Sequence, residues 1–249
     1  MSDQRDMIGV LMEFQAFERQ RIIENALAVG VRLPDVAADA IARHLEMVYC
    51  ANAVMNLTRI PRDEGVTLHV IDSLMGLGEM NASPEGPWLD IGSGAGYPGI
   101  PLGIASGRRI DLVESVGRKA AFLESVVAEL RLDATVRGCR AEDAGNESAG
   151  TYAAVSARAV SGLPALVELA SPLLALGGRL VCWKGDPTPE ERVRGSKVAA
   201  LTGMRHLRDV EVRIPGSDAK RTIVVYERAG APSVRLPRRI GLAQSKPLA

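Results

Sequence analysis

The segment that most constrains this chain runs from Trp88-Leu89-Asp90-Ile91 into Gly92-Ser93-Gly94-Ala95-Gly96-Tyr97-Pro98-Gly99-Ile100-Pro101. A short apolar run carrying an acid near its end meets three glycines at alternate positions, then two prolines where a helix would begin. Glycine permits positive φ and lets a ligand approach the backbone with no Cβ in the way. Proline suits the first turn of a helix, where its missing N–H costs nothing. The pattern predicts a buried parallel strand, a tight turn and a departing helix, with a nucleotide-like ligand seated on the turn.

Two cofactor classes compete for that turn. Gly94-Ala95-Gly96-Tyr97-Pro98-Gly99 matches the dinucleotide pattern G-x-G-x-x-G. The wider pattern, with Gly92, Gly94 and Gly96 following Asp90, favours S-adenosylmethionine. A carboxylate suits a cofactor bearing an ammonium and a sulfonium, and is unwelcome beside a pyrophosphate. Glu114, eighteen residues after Gly96, ends the next predicted strand, where an acid can accept the ribose hydroxyls of an adenosine. A glycine turn without a ligand and an ordinary turn acid are the bland alternatives.

The rest of the chain sorts around this motif. The first eighty residues read as helical, with Asp35 as an N-cap, Ile41, Leu45, Val48 and Tyr49 on one face, and Leu68, Ile71, Leu74 and Leu77 on another. Asn81 to Pro87 reads as a linker. Strands and helices then alternate: strands over 109–114, 134–139, 152–156 and 179–183, helices over 117–130, 163–176 (closed by Gly177-Gly178) and 189–201. A terminal antiparallel pair spans 207–214 and 222–226. Runs of βα units predict an α/β, Rossmann-like fold with a doubly wound, mostly parallel sheet and an N-terminal helical extension. The expected division is an extension over 1–80, a cofactor domain over 81–228 and a basic tail over 229–249.

Composition narrows the function. The formal charge of zero argues against a wholesale polyanion binder. No apolar run approaches the ~20 residues of a membrane span, and the polar opening Met1-Ser2-Asp3-Gln4-Arg5-Asp6 is unlike a signal peptide. Cys50, Cys139 and Cys182 lie far apart among apolar neighbours, which predicts buried reduced thiols; His44, His69 and His206 are equally scattered. The expectation is a cytoplasmic protein without a metal. The tail from Arg228 onward carries Arg235, Arg238, Arg239 and Lys246 and no acid. It reads either as a solvated terminus or as a phosphate-contacting arm. As an arm, its removal after Ala229 would weaken binding of a phosphate-bearing partner and spare cofactor binding.

Two further loops fall at strand ends. Arg140-Ala141-Glu142-Asp143 can present backbone N–H and a carboxylate to an adenine edge, or simply begin a helix. Ser156-Ala157-Arg158-Ala159 follows the fourth strand beside the first, where Arg158 could meet a phosphate, a base edge or the cofactor. That loop has no Asn-Pro-Pro-Tyr-like sequence to orient an exocyclic amine and no cysteine for a covalent pyrimidine adduct. An endocyclic nitrogen such as guanine N7 has a free lone pair and no proton to lose, so alignment does most of the work.

These residues together resemble the bacterial 16S rRNA guanine-N7 methyltransferases, the glucose-inhibited division protein B family. The resemblance covers most of the chain: Met55-Asn56-Leu57-Thr58-Arg59-Ile60, His69-Val70-Ile71-Asp72-Ser73-Leu74, Asp90 to Pro101, Glu114 to Lys119, Ala141-Glu142, Ser156 to Ala159, Trp183-Lys184-Gly185 and the tail Pro237-Arg238-Arg239 to Lys246-Pro247-Leu248. It implies S-adenosylmethionine contacts at Gly92, Tyr97, Ala141, Glu142 and Arg158, and methylation of guanine 527 in the decoding region. The implied partner is 16S ribosomal RNA within the small subunit or its precursor. The chain departs from the family pattern at Ser93, Ala95 and Tyr97 in the loop, at Leu68 where an arginine is usual, and at Ala243 where a proline is usual. His69 and Asp72 are either RNA contacts or a packed histidine with a capping acid. Two other classes remain open at this point: an NAD-dependent oxidoreductase, and a non-catalytic ribosome-assembly factor that keeps the cofactor fold.

Overall fold

The computed structural model describes residues 17–249. The polar opening residues, and with them the first part of the 1–80 extension, lie outside the described residues. The described residues begin with a helical stretch over 17–28 (α1), followed by α2 (Asp35–Met55). In α2 the buried set Ala37, Ala38, Ile41, Ala42, Leu45 and Val48 recurs at helical spacing, and Asn56 ends the helix in a left-handed conformation with φ 51°. Asp35 is the first helical residue and not the cap: Pro34 takes that place without a side-chain hydrogen bond. A π-helical turn (Val66–Ile71) runs into α3 (Asp72–Leu74), and α4 (Leu77–Asn81) closes the extension.

The sheet then alternates with helices: β1 (Trp88–Ile91), α5 (Gly99–Ser106), β2 (Ile110–Val113), α6 (Gly117–Leu130), β3 (Val136–Arg137), α7 (Ala141–Glu147), β4 (Tyr152–Arg158) and α8 (Leu163–Ala170). It ends with β5 (Leu174–Lys184), α9 (Pro189–Thr202), β6 (Met204–Arg213), β7 (Lys220–Arg228) and the short α10 (Leu242–Ser245). The strand order is β3-β2-β1-β4-β5-β7-β6, parallel from β3 to β5 and antiparallel where β7 joins β5 and β6. The winding reverses between β1 and β4, and ligands bind at such a switch point, outside the carboxyl ends of the strands.

Each face of the sheet has its own core. Trp88 and Ala154 pack with α1, α2 and the segment 66–80 on one face, and Leu89, Ile91, Val155 and Ala157 pack with α8 on the other. Alternation along β1 and β4 produces that division. Full burial of each such leucine or valine contributes about 1.5–3 kcal/mol.

One boundary departs clearly from the sequence reading. The helix expected to reach Leu176 ends at Ala170, and Leu174 already pairs with Tyr152 in the sheet. Gly177 and Gly178 lie within β5, where the register shifts, and do not cap a helix. A Cβ on Gly178 would lie 2.8 Å from the Ala175 carbonyl and 3.0 Å from that of Tyr152, so the strand needs glycine there.

Candidate functional site

The three loop glycines serve different purposes. All have positive φ: 68° at Gly92, 58° at Gly94 and 96° at Gly96. A Cβ on Gly92 would strike Val160 at 2.7 Å, and one on Gly96 would strike Ile100 at 2.5 Å and His44 at 2.8 Å. Those two are glycines because the protein packs against them. At Gly94 nothing lies nearer than the Gly92 carbonyl at 3.8 Å, so its open face is available to a ligand. Glu114 fastens the same loop: one carboxylate oxygen accepts the Gly94 N–H at 2.9 Å, the other the Val116 N–H at 2.8 Å. The strand-end acid read as a ribose ligand therefore also holds the loop's shape.

Asp90 and β4 define the next part of the site. The Asp90 carboxyl is fully buried, and burial raises its pKa to about 6 against the lowering effect of Ser156, Ser93, Arg158 and the Gly99 N–H. Oδ1 accepts the Ser156 hydroxyl at 2.6 Å; among the described residues Oδ2 has no partner of good hydrogen-bonding geometry. A carboxylate oxygen left so at the end of β1 fits a cationic ligand group. S-adenosylmethionine fits on both counts: its ammonium suits Asp90, and the loop leaves room beside Gly94. Past Arg158 the chain turns through Ala159 at φ 58°, a conformation costing a non-glycine residue about 1–2 kcal/mol and recurrent at functional sites.

A cluster invisible in the sequence backs this wall. The Tyr97 ring lies between two histidines, with centroids 4.6 Å from His44 and 4.4 Å from His69, the latter stacked. The His44 Nε2–H reaches the Ala95 carbonyl at 2.8 Å, tying α2 to the glycine loop. Burial lowers the His44 pKa to about 4. At His69, burial first and the Arg158 charge second lower it to about 3. Both rings are neutral at pH 7. Arg158 lies over Tyr97, 5.5 Å from the ring centroid, and donates to the Asp72 carboxylate at 3.0 Å and the Leu68 carbonyl at 3.2 Å. Asp72, buried within the helical extension, also takes Arg221 at 3.1 Å, while its carbonyl accepts the Trp183 indole N–H at 2.8 Å. His69 and Asp72 are therefore buried internal supports of this wall. Asp72 caps no helix.

At the ends of β1, β2 and β3, a pocket of about 60 Å³ is lined by Gly92, Val113, Ser115, Ala141, Glu142 and Val160 among others. It brings the predicted residues Gly92, Ala141 and Glu142 together beside Glu114's strand. The tail lies against the same pocket: Gly241 and Gln244 line it, and the Gly241 N–H donates to Glu142 at 2.8 Å.

The predicted RNA contacts separate. Arg235, Arg239 and Lys246 are exposed. Arg238 is not a free phosphate contact: its guanidinium grips both oxygens of buried Glu168 at 2.6 and 2.7 Å. Sequence reasoning missed this pair because Glu168 is embedded in an apolar helix seventy residues upstream. The cysteine expectation is also corrected: Cys182 is buried, Cys139 half-buried and Cys50 exposed on the outer side of α2. Among the described residues no cluster of histidine, cysteine and acids could hold a metal, and no helix is long and apolar enough to cross a membrane.

A parallel sheet with this winding, a glycine turn after β1 and an acid after β2 define the class of S-adenosylmethionine-dependent methyltransferases. Solved structures agree on the fold. A geranyl diphosphate methyltransferase bound to its diphosphate and sinefungin superimposes with a TM-score of 0.52 at 17% identity, covering 63% of this chain and 76% of that one. The model of the family rRNA small subunit methyltransferase G matches residues 37–221, and the chain belongs to that family. Relatives named ribosomal RNA small subunit methyltransferase G occur in Roseiflexus castenholzii, 37% identical over 91% of this chain and 98% of the relative. Another, from Deinococcus radiodurans, is 37% identical over 83% and 84%.

Proposed function

We propose that this protein transfers the methyl group of S-adenosylmethionine to N7 of a guanine in 16S ribosomal RNA, guanine 527, within the small subunit or its precursor in the cytoplasm. The observation that carries the cofactor side is the open face at Gly94, held by Glu114 and flanked by buried Asp90. The bound cofactor supplies an electrophilic methyl on a sulfonium. Asp90 receives its ammonium, Arg158 its carboxylate, and Glu114, Ala141 and Glu142 its adenosine. Gly92 and Gly96 let the loop pack closely enough to form that cradle.

The residues at the end of β4 favour the N7 atom. Ser156-Ala157-Arg158-Ala159 offers no base for an exocyclic amine and no nucleophile for a covalent adduct. N7 attack needs neither, only in-line approach to the methyl carbon. The 81–228 portion carries the cofactor, the extension over 1–80 buttresses Arg158 through Asp72, and exposed Arg235, Arg239 and Lys246 of the 229–249 portion meet phosphate.

The test is transfer of labelled methyl from S-adenosylmethionine to small-subunit particles and to naked 16S RNA, with the product nucleoside identified. The proposal expects 7-methylguanosine. Label at an exocyclic nitrogen would overturn it, and binding of NADH in place of the methyl donor would restore the oxidoreductase reading.

A further inference from the structure

The tail is folded back on the cofactor site and anchored there. Arg238 binds Glu168 through two hydrogen bonds and also donates to the Lys246 carbonyl at 2.8 Å. Ala243 is buried against the core, and the Arg194 guanidinium reaches the carbonyl of Ala249 at 2.9 Å. Between these anchors Gly241, at φ 80°, donates its N–H to the Glu142 carboxylate, and Gln244 completes the pocket wall. The remaining walls come from the ends of β1 and β2, the loops that follow β1 to β4, the start of α7 and Leu169 in the last turn of α8. The wall outside the sheet framework, joined to Glu142 by the Gly241 hydrogen bond, is the tail.

We propose that residues 237–246 are a strap that forms the outer wall of the adenosine site. It closes over the adenosine, held by the Arg238–Glu168 pair at one end and by the Gly241 N–H on Glu142 at the pocket. Gln244 is the side chain that meets the adenine edge, whose amine donor and ring-nitrogen acceptor complement a carboxamide. Tail and cofactor are then coupled, contrary to the expectation that removing the tail spares cofactor binding. The inference rests on the reading of this pocket as the adenosine site of S-adenosylmethionine.

The experiment uses the full chain with S-adenosylhomocysteine, combining calorimetric titration with hydrogen–deuterium exchange of the 237–246 amides. Saturating ligand is expected to slow that exchange at least about tenfold, as closing one more net hydrogen bond and excluding water would do. Gln244→Ala, an exposed position whose change spares the fold, is expected to weaken binding roughly five- to tenfold with an unchanged melting temperature. Binding with unaltered exchange in the strap, or full affinity in Gln244→Ala, overturns the strap and leaves the cofactor reading standing. No binding of S-adenosylhomocysteine at all overturns both.

Discussion

The Asp72 carboxylate, 1% exposed, lies 3.0 Å from the Arg158 guanidinium, although 86 residues separate them in sequence. This pair joins the helical extension to the end of β4, beside the point where the sheet's winding reverses. Arg221 shares the same carboxylate from β7, so three parts of the chain converge on one buried charge.

Arg158 is therefore both part of the site and part of the framework. From sequence alone, Arg158→Ala would reduce methyl transfer with little effect on stability. The structure changes that expectation. Removing one partner of a buried ion pair costs about 3–5 kcal/mol, and Arg221 remains to lessen the loss. Arg158→Ala should lower both the methylation rate and stability, the latter by about 2–3 kcal/mol in urea unfolding. An unchanged unfolding midpoint would show that the pair does not hold in solution.

Glu114 accepts two backbone N–H groups, so Glu114→Gln presents one amide nitrogen to a donor and opens the loop. Cofactor affinity should fall by ~1.5–3 kcal/mol, the scale of hydrogen bonds to a charged group. Calorimetric titration with S-adenosylmethionine measures this. Equal affinity in the variant would reduce Glu114 to an ordinary turn acid.

At Gly94 a methyl group makes only an ordinary contact with the Gly92 carbonyl at 3.8 Å and otherwise enters the open side of the loop. Gly94→Ala should cost about 1 kcal/mol of stability through its left-handed backbone and at least tenfold in cofactor affinity. Retained affinity would mean that the cofactor does not rest on this turn.

The two buried histidines set an acid limit. His44 and His69 have pKa values lowered to about 4 and about 3, chiefly by burial. Below pH 6.5 the unfolded chain binds protons that these rings refuse, so stability falls as pH drops through the window down to about 4. Asp90, raised to about 6 by burial, works in the opposite direction, because its folded carboxyl takes up a proton first. Glu18, raised by burial, acts in the same sense as Asp90, while His206 and Glu191, both lowered, act with the two histidines, so the histidine contribution is read by difference between parent and variant. His44→Gln keeps a donor for the Ala95 carbonyl without titrating, and should flatten the decline in unfolding free energy between pH 6.5 and 4. A slope equal to that of the parent protein would contradict the assignment.

Much of the fold was legible because its signals are local. The strand, turn and helix around Gly92–Gly96 follow from residue type alone, and α6 matches its periodic pattern end to end. What was not legible depends on contacts distant in sequence. Leu174 reads as the end of a helix until Tyr152 is found beside it. His44 and His69 look scattered until Tyr97 brings them within stacking distance. Arg238 looks like a solvent-facing charge in a basic tail, and only the buried Glu168 reveals it as an anchor. Gly92, Ala141 and Glu142 line one pocket because each follows a strand end, a placement the alternating pattern carries, whereas the tail's place beside them leaves no local signal.

The central claim is methyl transfer to guanine N7 in the small-subunit RNA, and one measurement tests it most directly. 16S RNA is taken from cells lacking this gene, from cells carrying it, and from cells carrying Gly94→Ala. N7-methylguanine is mapped in each by reductive cleavage of the labile nucleotide. The account predicts the modification at guanine 527 only with the parent gene, and sharply reduced levels with Gly94→Ala. The same modification in cells without the gene, or a methyl group on another atom or another RNA, would contradict it.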